Sequence, residues 1–327
     1  MDMGGGSMDE VFIKAASNDL EFVKNNMTYL EMVDESKKSL LHYAVSGSAM
    51  DVISFLLDLN ISVNLKDHYG ETPLFDCVRK GKIHIAKLLI FKLANVNIEN
   101  RNQEAPIHLA CIKGDINMIK LLIESGALLN KETQEGKLPI HYAIAGGQVD
   151  LIDYILKLSK QSYDLKDNSG LTLLHHAAKT SNIKLIEKLL LEGLDPNALN
   201  DLFETPLFNA VRFGTLDTVK LLLNYDAYLD IKNRRYETPI DNAMIFNKLD
   251  ILDYLNDYIQ TPKYENLAKK QALAIAVLNR DHIYLRKLVE RQILLKKDRL
   301  NKTAMDYAKM YHLTLCANIL KETESVL

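Results

Sequence analysis

Four of the nine histidines, His42, His108, His141 and His175, recur 33 or 34 residues apart, or twice that, and they are the side chains from which a metal site could most readily be assembled. Their period argues against it. On equivalent helices of a stacked array, successive copies would stand roughly 10 Å apart, whereas one zinc ion needs its nitrogen donors at about 2 Å. His175 and His176 are adjacent, and adjacent helix residues point in different directions. His108 and Cys111, three residues apart, have the types of a base and a nucleophile. Cys111, however, occupies the small-residue position of a helix interior, where a thiol stays neutral and inert. The chain carries no glycine-rich phosphate loop after a strand, no His-Glu-x-x-His and no Cys-x-x-Cys. The sequence thus predicts no catalytic residue, no metal and no cofactor, and the histidines are assigned a structural role.

The elements that position these residues come from one stretch written many times. Gly70-Glu71-Thr72-Pro73-Leu74-Phe75-Asp76-Cys77-Val78-Arg79-Lys80-Gly81 has counterparts whose Thr72 position falls at Asp9, Ser39, Ala105, Leu138, Thr172, Thr205, Thr238, Ala272 and Thr303. From Ser39 to Ala272 the spacings are 33, 33, 33, 34, 33, 33 and 34 residues. Within one unit Thr72 can cap a helix whose first residue is Pro73, where a missing backbone donor is harmless. Leu74, Cys77 and Val78 share one side of that helix, and Gly81 supplies the left-handed residue that ends it. Ile83, Ile85, Ala86, Leu88 and Leu89 then give a second helix an apolar stripe, followed by an extended turn. Neither helix can bury its stripe alone, so the core must be a line of interfaces between units.

A period near 33 carrying Thr-Pro-Leu-His-x-Ala resembles the ankyrin repeat. The resemblance covers residues 8 to about 322 and implies an all-α fold, an α-solenoid of stacked helix-turn-helix repeats with short hairpin-like fingers and about ten helix pairs including two caps. It also implies that the recurrent histidine hydrogen-bonds the neighbouring turn. The expected organisation is one ankyrin-repeat domain over 8–327. An amino-terminal cap unit spans 8–38, regular repeats 39–259, an irregular repeat 260–302 and a carboxy-terminal cap unit 303–327. Met1 to Ser7, with Gly4-Gly5-Gly6-Ser7 before a second methionine, reads as a leader outside the fold. Around 260–268 the chain has Thr261-Pro262-Lys263, a helix-start signature, in place of a finger. The inner helix of that unit is therefore expected to start near Pro262 and to exceed its neighbours in length.

Composition and charge narrow the function classes. The chain is 47% apolar and 25% charged, and no apolar run reaches the roughly 18 residues of a membrane span. Cys77, Cys111 and Cys316 lie far apart, which suits buried free thiols in a reducing compartment, so the expected location is cytoplasmic, or the interior of a host cell if the protein is a secreted effector. The net charge is −3, yet residues 260–327 hold thirteen Lys and Arg against seven Asp and Glu. Lys296, Lys297, Arg299 and Lys302 crowd one turn as a secondary basic patch that could dock an acidic partner. An acidic majority excludes the broad positive surface that nucleic acid requires.

The resemblance implies a non-catalytic protein-binding scaffold or adaptor, monomeric alone, that uses its groove and finger tips. An inhibitor masking an enzyme or toxin is the second reading, and an enzyme or small-ligand sensor with a groove pocket the third. Aligning the units places Tyr69, Arg79 and Arg101, then Phe203, Arg212 and Phe213, then Arg234, Arg235, Tyr236 and Phe246 at tip and groove positions. Two units stand out, because Phe203 and Tyr236 replace the turn glycine found as Gly70, Gly136 and Gly170. Exposed aromatics flanked by arginine are the residue types that dominate binding hot spots.

Overall fold

A computed structural model gives the structure over residues 7–324, which form twenty-one α-helices with two isolated β-bridges and no extended strand. The chain divides into two compact units between Gln161 and Ser162. Residues 1–6 of the expected leader lie outside the described residues. Ser7 does not belong with them: its hydroxyl caps the first helix by accepting from the Glu10 N–H at 3.2 Å.

The first unit contains five helix pairs: α1 (Met8–Ala16) with α2 (Leu20–Asn25), α3 (Leu40–Gly47) with α4 (Met50–Asp58), α5 (Pro73–Lys80) with α6 (Ile83–Phe91), α7 (Pro106–Lys113) with α8 (Ile116–Glu124), and α9 (Pro139–Ala145) with α10 (Val149–Ser159). Inner helices stack on inner helices, α1 on α3, α3 on α5, α5 on α7 and α7 on α9. Buried Leu74, Cys77 and Val78 and their counterparts fill those interfaces, as the apolar stripe requires. Gly81 closes α5 in the left-handed region at φ 67°. Thr72 does not cap α5 as expected, and its hydroxyl is buried without a partner. The reason is its neighbour three residues on. At Thr172 and Thr238 the hydroxyl pairs with His175 and Asp241 in reciprocal capping boxes, whereas Phe75 and Phe208 offer Thr72 and Thr205 no acceptor.

Between pairs, each finger is a tight turn closed on itself, as in Asp67 N–H to Glu71 O at 2.9 Å and Asn233 N–H to Glu237 O at 2.9 Å. Fingers also bond to one another: the Arg101 N–H donates to Tyr69 O, and the Arg234 N–H to Leu202 O, both at 2.9 Å.

The second unit begins with three more pairs, α11 (Leu173–Ala177) and α12 (Ile183–Leu191), α13 (Pro206–Phe213) and α14 (Leu216–Asn224), α15 (Pro239–Ile245) and α16 (Leu249–Tyr258). A helix α17 (Pro262–Lys270) follows where a finger would stand, capped by Thr261, whose hydroxyl accepts from the Tyr264 N–H. The inner helix of this unit is not extended. Gln271, at φ −108° and ψ 15°, breaks the chain between α17 and α18 (Ala272–Leu278), so a separate seven-residue helix results. Gln271 leaves the helical region there while its side chain, buried beneath the next finger, donates to Lys297 O at 3.3 Å.

The break redirects the rest of the chain. Helix α18 packs with α19 (His282–Glu290), and this pair stacks on α20 (Ala304–Met310) and α21 (Thr314–Glu324), forming a core of their own. That core also takes in Leu199, Phe208, Tyr228 and Ile231, so the last helices lie over the loops of the preceding repeats. Tyr311 Oη accepts from the Leu199 N–H at 2.8 Å, Asn279 bridges Asp230 O and the Lys232 N–H, and Lys302 pairs with Asp195 at 2.9 Å.

Candidate functional site

The repeat histidines are committed to the frame. His42, His108 and His175 each accept the backbone N–H of the helix-capping residue on Nδ1 at 3.1 Å. That leaves the proton on Nε2, which donates to Glu71 O, Lys131 O and Glu204 O at 3.0 to 3.1 Å. Burial lowers the affinity of all three rings for a second proton, His175 to about 3. Both nitrogens being occupied, none offers a lone pair to a metal or a base to Cys111, whose thiol burial pushes well above its ordinary value. Among the described residues no group of three or more His, Cys, Asp or Glu is arranged to hold a metal ion.

The predicted surface residues separate into those held by the fold and those presented to solvent. In the first unit Arg79 is tied to Glu71 and Asp76 at 2.6 and 2.8 Å, while Tyr69 and Arg101 are exposed at neighbouring tips. In the second unit Arg212 is half-buried, its side chain 16% exposed. It forms a bidentate pair with buried Glu204 and donates through Nε to Asn242 Oδ1 at 2.6 Å, which locks the inner helices together. Its guanidinium lies 5.4 Å from the Phe246 ring centre, and Lys179 lies 5.8 Å from that of Phe213. In the basic patch, Arg299 covers the Tyr225 ring at 4.0 Å and Lys302 holds Asp195. These two fasten the last helices to the repeats, and Lys296 and Lys297 remain exposed.

The structure brings Phe203, Arg234, Arg235, Tyr236 and Phe246 together around one finger. Phe203 and Tyr236 adopt the left-handed conformation that glycine provides at Gly70, at φ 63° and 62°. Such a backbone is unfavourable for a bulky side chain. Tyr236 is nonetheless 82% exposed and gains no packing in return. A cleft of about 280 Å³ on one side of the finger is lined by Arg234, Arg235, Ile245 and Phe246. A larger one of about 620 Å³ lies on the other, between Phe203, Arg234 and Tyr236 and the turn joining α18 to α19.

That turn contributes Arg280, His282 and Ile283, which the sequence reading missed. A signal for it existed. Leu199 stands where earlier repeats carry Lys66, Glu99 and Glu132. An apolar residue at a position that those repeats fill with charge is the informative departure, and here the helices α18 to α21 cover it.

Comparison with known proteins follows the same frame. A family model described as ankyrin repeats in three copies matches residues 12–100, 85–168, 107–200 and 174–266, well over half the chain. The chain belongs to the ankyrin-repeat family. Ankyrin repeats are generally protein–protein interaction modules and typically not enzymes. The chain is similar to a transient receptor potential cation channel subfamily A member 1 homolog of Caenorhabditis elegans, 39% identical over 64 residues, 19% of this chain and 5% of that protein. A putative ankyrin repeat protein of Acanthamoeba polyphaga mimivirus is 31% identical over 83 residues, 24% of this chain and 11% of that one. One of fowlpox virus is 36% identical over 66 residues, 20% and 46%. The matches thus span less than half the length of each relative. Among the described residues no helix of this ankyrin-repeat chain is long and apolar enough to cross a membrane.

Proposed function

We propose that the chain is a non-catalytic scaffold or adaptor that binds a partner protein through the fingers and inner-helix ends of its second unit, with Phe213, Arg234, Arg235, Tyr236 and Phe246 at the centre. The observation that carries this reading is Tyr236, a large aromatic held exposed on a left-handed backbone between Arg235 and a cleft. Strain that brings no packing is a reason to look for a function. Exposed Phe213 and Phe246 extend the aromatic surface, and exposed Arg234 and Arg235 supply charge. Three buried free cysteines fit a reducing compartment.

The test needs a partner purified after photo-crosslinking from position 236. Arg235→Ala and Phe213→Ala are each expected to weaken that complex by about 1 kcal/mol while leaving thermal unfolding unchanged. Undiminished affinity in both variants would remove this surface from consideration.

A further inference from the structure

The larger cleft is cationic in an unusual way. The Arg280 guanidinium carbon lies 3.1 Å from the centre of the Phe203 ring, and that of Arg234 lies 4.9 Å from the same ring. Two guanidinium groups thus share one aromatic ring, with Lys232 at the cleft wall. Among the described residues neither guanidinium has a carboxylate within ion-pair distance. Arg280 donates only to Leu278 O, at 2.8 Å. The acid in the wall, Asp281, is occupied as the cap of α19, accepting from the Tyr284 N–H at 2.9 Å. Burial, with the like charge of Arg234, holds the Arg280 guanidinium below its ordinary value. Like charges set close together without an anion are unfavourable, and such arrangements are concentrated at sites that receive one.

We propose that this cleft receives an extended acidic segment of a partner protein, whose carboxylates bridge the guanidinium groups of Arg234 and Arg280. The inference rests on the protein-binding reading above and specifies the partner's chemistry. Guanidinium groups anchored on an aromatic face keep their N–H edges free for bidentate carboxylate bonds, and stacking fixes the planes in advance. Exposed Tyr236 and Ile283 add apolar surface at the mouth, so the segment carries apolar side chains beside its acids. A volume of about 620 Å³ admits a few residues of peptide. Nucleic acid is disfavoured by the chain's net charge of −3, which provides no extended positive track.

The test uses the full chain and a fluorescent peptide of alternating glutamate and leucine, beside its glutamine counterpart, with anisotropy read at low and high salt. The acidic peptide should bind, the glutamine peptide should not, and salt should weaken the complex. Arg234→Glu, at an exposed finger, and Arg280→Gln should each lower affinity about tenfold or more, with Lys87→Glu, on the exposed face of α6 in the first unit, as the unchanged control. Thermal unfolding of each variant separates lost binding from lost folding, and Arg234→Glu alone decides if Arg280→Gln fails to fold. Equal binding of both peptides, or undiminished binding in the variants, overturns the proposal. So does binding of inorganic phosphate or anionic vesicles that the same variants abolish while the acidic peptide stays unbound. A displayed peptide library without charge bias, selected on the same chain, distinguishes the two levels. Enriched binders indifferent to Arg234→Glu and Arg280→Gln overturn the acidic cleft and leave the protein-binding reading standing, whereas no enrichment and no acidic binding overturn both.

Discussion

Val211 is fully buried, and Met244, its counterpart one repeat later, is 62% exposed. The position faces the next repeat: Val78 and Cys111 hold it in α5 and α7, and both are fully buried. Because α17 and Gln271 turn the chain aside, α15 presents this face uncovered, and Ile240 and Leu252 also lose the complete burial of Leu207 and Val219. Val211→Asn should therefore cost roughly 3 kcal/mol, while Met244→Asn stays within about 0.5 kcal/mol of the parent. Urea unfolding measures both, and equal losses would mean that α15 is covered after all.

The same comparison across repeats tests the fold-back of the last helices. Tyr228 is 1% exposed beneath them, whereas Leu128, in the corresponding loop of the first unit, is 46% exposed. Removing a buried aromatic leaves a cavity, so Tyr228→Ala should destabilise by roughly 3 kcal/mol or more. Leu128→Ala should cost no more than about 0.5 kcal/mol. Similar small effects at both positions would show that α18 to α21 do not rest on the repeat loops.

Repeat units were legible in the sequence because their signals are local. Pro73 starts a helix, Gly81 ends it, and the apolar stripe of Ile85, Ala86 and Leu89 needs no distant partner to be recognised. The start of α17 was legible for the same reason, since Thr261-Pro262 is a capping signature. What followed was not, because the end of α17 at Gln271 depends on burial under a finger twenty-six residues further on. Arg212 was misplaced by the same limit. Arg79, at the same register, pairs likewise with Glu71 and stays 43% exposed, whereas Arg212 also donates to Asn242 on the next inner helix and lies against the Phe246 ring, which leaves it 16% exposed. The cleft at Phe203 required knowing that Arg280, seventy-seven residues away, comes to lie on that ring.

The histidine position makes acid sensitivity a property of the frame. Folded His175 titrates near 3, so the unfolded chain, with its imidazole near 6.5, binds a proton that the folded chain refuses. Stability is then full above pH 6.5 and falls as pH drops from there towards 3, with His42 and His108 acting in the same direction. Phe75 and Phe208 already fill this register in other repeats. His175→Phe should lose about 1 kcal/mol at pH 7 with its bond to Glu204 O, and should flatten the decline between pH 7 and pH 5. Urea midpoints at the two pH values give the slope. An unchanged slope would assign the acid response to other groups.

Tyr236 allows stability and binding to be pulled in opposite directions. Its backbone sits at φ 62°, where Gly70 and Gly136 hold the same turn at 79° and 72° without side-chain strain. The ring is exposed, so its removal takes nothing from the core. Tyr236→Gly should thus leave the fold as stable as the parent or more stable by up to about 1 kcal/mol, the relief of the left-handed strain being set against glycine's greater freedom in the unfolded chain. If the tyrosine is kept for recognition, the same variant should bind the partner more weakly by about 1 kcal/mol or more. Calorimetric unfolding and titration of one preparation read both quantities. A variant that is less stable and binds unchanged would make Tyr236 a structural residue of the finger and take the centre of the proposed surface with it.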